Sequence, residues 1–95
     1  MAFGLTDTDD AIVEVEKGMP VTIVYPDQKE GHDGTLYIPN TLALVKDSPN
    51  PQDAEKLVDY LLSADVERKL ADGPSAQIPL RPGVPASPRV KAPPE

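Results

Sequence analysis

Seven of the chain's twelve prolines fall in Pro74–Glu95. Proline fixes φ and carries no amide hydrogen, so a stretch punctuated this densely is neither a helix interior nor a central strand. Residues 75–95 therefore read as an extended C-terminal segment, and the core is expected to come mainly from residues 1–73. At 95 residues the chain holds one small domain or a piece of a larger one, not two domains. A composition 39% hydrophobic and 26% charged suits a globular chain. No apolar run approaches the roughly 20 residues of a membrane-spanning helix. There are no cysteines, which removes disulfides, zinc knuckles and thiol catalysis and leaves the compartment open.

The formal net charge is −7, unevenly placed. Met1–Asp33 carries −6 and Gln77–Glu95 carries +2. An acidic chain without a basic stripe and interleaved aromatics repels phosphate backbones, which argues against a nucleic-acid partner. Helix-start chemistry appears within six residues of Met1, so no signal peptide is expected in this sequence.

Phe3–Leu5 reads as the end of a strand. Asp7, Thr8, Asp9 and Asp10 then precede Ala11, Ile12 and Val15 at helical spacing, predicting a helix over 8–17 that stops at Gly18. Val21, Ile23 and Tyr25 share one face of a predicted strand, Val21–Tyr25, ended by Pro26-Asp27. Gln28–Gly34 is a polar loop. Thr35–Lys46 is a second, longer strand in which Pro39 marks a break, a crossover or an edge.

The clearest helix runs Pro51–Ser63. Its Ala54, Leu57, Val58, Leu61 and Leu62 form one apolar stripe, expected to be core. Ser63 can cap a shorter helix, Ala64–Ala71, with Val66 and Leu70 pointing inward, stopped by Asp72-Gly73-Pro74. From the residues alone the class is α/β, with two main strands, three helices and an incomplete sheet. Residues 1–74 form the α/β unit.

Few residues suggest chemistry. A calcium-binding loop starting at Asp7 needs Gly at its sixth position and Glu at its twelfth, where this chain has Ile12 and Gly18. His32, the single histidine, sits in a glycine-flanked loop and reads as a solvated residue. There is no nucleophile–base pair, no GxGxxG and no P-loop, so no enzyme signature is present. The Thr6–Asp10 turn carries two readings: a helix cap, or a ligand-facing strand-to-helix turn of the kind open α/β sheets use.

Several stretches, taken in order, carry a resemblance. They are Gly4-Leu5-Thr6-Asp7-Thr8-Asp9-Asp10-Ala11, Val24-Tyr25-Pro26-Asp27-Gln28, and Gly34-Thr35-Leu36-Tyr37-Ile38-Pro39-Asn40-Thr41. Ala43-Leu44-Val45-Lys46, Asn50-Pro51 and the run Ala54–Ser63 follow, with Gln77–Val84 as a closing segment. Their order and spacing resemble the C-terminal part of periplasmic substrate-binding proteins of ABC transporters, of the iron(III) type.

The resemblance implies a C-terminal fragment of a two-lobed, class II periplasmic-binding-protein fold: the end of the second lobe, a crossover strand and C-terminal helices. It implies a non-catalytic solute-binding role, a small-molecule or metal-ion ligand, an ABC permease as partner and a periplasmic parent. The cleft-side residues it implies are Thr6, Asp7, Thr8 and Asp9. The adjacent tyrosine pair that ferric-iron binders use is absent, so no cofactor is assigned and ferric iron belongs at most to the full-length parent. A homo-oligomer is expected of the isolated fragment, whose strand edges lack partners. The alternative reading is a small acidic protein–protein interaction module.

Overall fold

Each of the three expected helices forms, and each is set by a local signal. The computed structural model describes residues 2–93, with α1 at Thr8–Glu16, α2 at Pro51–Leu61 and α3 at Ala64–Asp72. Asp7 is the N-cap of α1, its carboxylate accepting from the Asp10 amide at 3.4 Å. The helix ends at Gly18 (φ 77°), where the Gly18 amide bonds the Val15 carbonyl and the Met19 amide bonds the Glu14 carbonyl. This pair of reversed bonds satisfies carbonyls that the last turn leaves open, and glycine adopts the required positive φ without strain. Pro51 stands in the first turn of α2, where the missing amide hydrogen costs nothing. Ser63 caps α3, accepting from the Val66 amide at 3.4 Å. Because α2 stops at Leu61, Leu62 and Ser63 belong to the corner between two helices and not to a helix reaching Ser63.

The two expected strands do not form. Val21–Tyr25 and Thr35–Lys46 carry no ladder among the described residues, and Phe3–Leu5 is no strand end either. Extended backbone is held as sheet only by a neighbour that supplies the matching donors and acceptors. No backbone–backbone hydrogen bond involves Thr35–Leu44 among the described residues. The α/β reading is thus corrected for this chain to three helices joined by extended segments.

The core also lies elsewhere than the helix stripes implied. Its centre is Ile12, Ala76 and Val90, with Ile23 and Ile78 packed against them. Ala76, Ile78 and Val90 come from the proline-rich segment, so residues 1–73 do not build the core alone. α2 buries no residue: Leu57 is 56% exposed, and Leu62 in the corner beyond it is 53% exposed. Its stripe faces Leu42–Val45 across an apolar groove of about 290 Å³, and the helix packs on α3 alone among the helices. On α3, Val66 is buried as expected, whereas Leu70 points outward and Ala71 takes the inner place.

Residues 75–93 are fastened to the rest without a ladder, by the Gln77 backbone amide on the Leu70 carbonyl at 3.1 Å, the Ala76 amide on the Gly73 carbonyl at 3.1 Å, and by side chains. Arg89 donates to the Ser87 hydroxyl at 2.9 Å, to the Glu16 carboxylate at 2.8 Å, and to the Ala71 and Gly73 carbonyls at 3.3 and 2.5 Å. Two of those acceptors lie at the C-terminal end of α3, where a cation complements the helix dipole. Arg81 donates to the Leu62 carbonyl at 2.6 Å and sits 3.3 Å from Glu67, tying the segment to the corner between α2 and α3.

Candidate functional site

The four residues singled out from the sequence lie at the start of α1. Thr6 and Asp7 are exposed, and Thr8 and Asp9 are half-buried. Carboxylate oxygens of Asp7, Asp9 and Asp10 all lie within 4.8 Å of one another. Asp7 is committed to its cap, so the helix-cap reading of this turn holds. A hydrogen bond shared with Asp7 holds the Asp9 carboxyl above its ordinary value. Partial burial and the like charge of Asp7 push the same way.

Two residues that the sequence did not point to join this turn. The Gln77 amide donates to Asp9 at 3.2 Å, and the Asn40 amide donates to the Gln77 carbonyl oxygen at 3.1 Å. The relay Asn40–Gln77–Asp9 connects three segments separated by 37 and 68 positions. No local pattern marks it, because an amide between two polar neighbours has no periodicity. The turn therefore faces a junction of α1, the Thr35–Lys46 stretch and the proline-rich segment.

The tyrosines do a different job. The Lys91 amide donates to the Tyr25 hydroxyl at 3.0 Å, and the Tyr37 hydroxyl donates to the Lys91 carbonyl at 2.7 Å. The two phenols thus bracket the backbone of one residue of the proline-rich segment, and Gln28 reaches the Lys91 ammonium from the loop. Burial pushes the Tyr37 phenol above its ordinary value, and Tyr25 adds to the shift. His32 is exposed, 3.7 Å from Asp27, as a solvated loop residue should be.

The model of a family described as bacterial extracellular solute-binding protein matches residues 1–95. The chain belongs to that family. It is 33% identical over 85 residues to Iron uptake protein A2 of Synechocystis sp. (strain ATCC 27184 / PCC 6803 / Kazusa), a match covering 90% of this chain and 24% of that protein. The chain thus spans about a quarter of the length of that curated relative. No solved structure matches it significantly. No helix among the described residues is long and apolar enough to cross a membrane. Among the described residues, Asp7, Asp9 and Asp10 form a group of carboxylates close enough to share a cation, and the Tyr25 and Tyr37 phenols are engaged by Lys91 of the chain itself.

Proposed function

We propose that the chain is the C-terminal part of a solute-binding component of an ABC-type uptake system, iron(III)-like, that delivers its ligand to a permease from the periplasm. The observation carrying this reading is the family match along the whole chain, joined to a relative whose printed name is an iron uptake protein. The role is binding, without catalysis. The Thr6–Asp9 turn is the cleft-side element, with Asn40 and Gln77 positioning Asp9. The carboxylates of Asp7, Asp9 and the adjoining Asp10 favour a cationic or hydroxyl-rich ligand over an anion, because they reverse the positive field of the helix N-terminus.

A cleft needs two walls, and this chain offers one. Calorimetric titration with ferric iron (buffered by citrate), calcium, phosphate and polyamines is expected to show nothing tighter than roughly millimolar, about −4 kcal/mol. A chimera in which this chain replaces the matching quarter of Iron uptake protein A2 supplies the other wall and is expected to regain micromolar or tighter ferric-iron binding. Micromolar binding by the isolated chain, or a folded chimera that binds nothing, overturns the reading.

A further inference from the structure

We draw no further inference here: the strongest candidate, the apolar groove between Leu42–Val45 and the α2 stripe of Ala54, Leu57, Val58 and Leu61, is an unpartnered face, and nothing in the structure shows what covers it.

Discussion

Arg89 and Glu16 stand 73 positions apart and meet at 2.8 Å, while the same guanidinium holds the Ala71 and Gly73 carbonyls. One planar fork thus joins the end of α1, the end of α3 and the proline-rich segment. The Glu16 contact is half-exposed and contributes little by itself. The carbonyls are the larger part, since hydrogen bonds from a charged donor contribute about 1.5–3 kcal/mol.

Arg89→Ala is accordingly expected to destabilise the chain by about 2–3 kcal/mol. Arg89→Lys should recover less than half of that, because an ammonium cannot span three acceptors set for a fork. Glu16→Gln should cost under about 1 kcal/mol. Urea unfolding of the three variants gives the ranking, and equal losses for Glu16→Gln and Arg89→Ala would show that the ion pair dominates.

The location of the core reverses an expectation drawn from helix periodicity. Ile12 is 4% exposed at the centre of the packed cluster, so Ile12→Ala should cost about 2–5 kcal/mol. Leu61, on the half-open stripe of α2, should cost about 1 kcal/mol or less when truncated. Thermal melts at micromolar concentration decide between them.

Asp9 and Asp65 respond to acid in opposite directions. The folded-state value of Asp9 is raised, chiefly through its hydrogen bond with Asp7, so its stabilising contribution is full below the unfolded value and is lost as pH rises through the folded one. Asp65 is lowered, chiefly by the hydrogen bond from Lys69 at 2.9 Å, so its contribution is present above the unfolded value and is lost as pH falls through the folded one. At neutral pH Asp9→Asn should raise stability by up to about 0.5 kcal/mol, the size of a relieved like-charge contact. That gain should vanish as the pH falls through the raised folded-state value of Asp9, where the parent carboxyl takes up its proton. A gain that persists into acid would assign the effect to something other than charge.

The helices were legible because their ends are written locally. Asp7, Pro51 and Ser63 each mark a first turn, and Gly18 supplies the positive φ that closes α1. The family could be read from ordered stretches between Gly4 and Val84, which need no three-dimensional information. Strands were over-read. Alternation in Val21–Tyr25 and β-favouring residues in Thr35–Lys46 report a face suited to a sheet, but a ladder also needs a neighbour that composition does not reveal. The core was misplaced for a related reason: nothing local to Val90 announces Ile12 as its partner. The carboxylate turn was visible as a cluster, whereas Gln77 and Asn40 became part of it only once distant segments met.

The placement of Val90 against Ile12 has a consequence for how the molecule is made. A chain leaves the ribosome from its N-terminus, and domains gather as their contacts become available. α1 emerges well before the proline-rich segment, yet its apolar side has no lasting cover until Ala76 has turned and Val90 has followed it. Arg89 arrives in the same short interval and engages the open end of α3. Translation must therefore pass Val90 before α1 can be held in place.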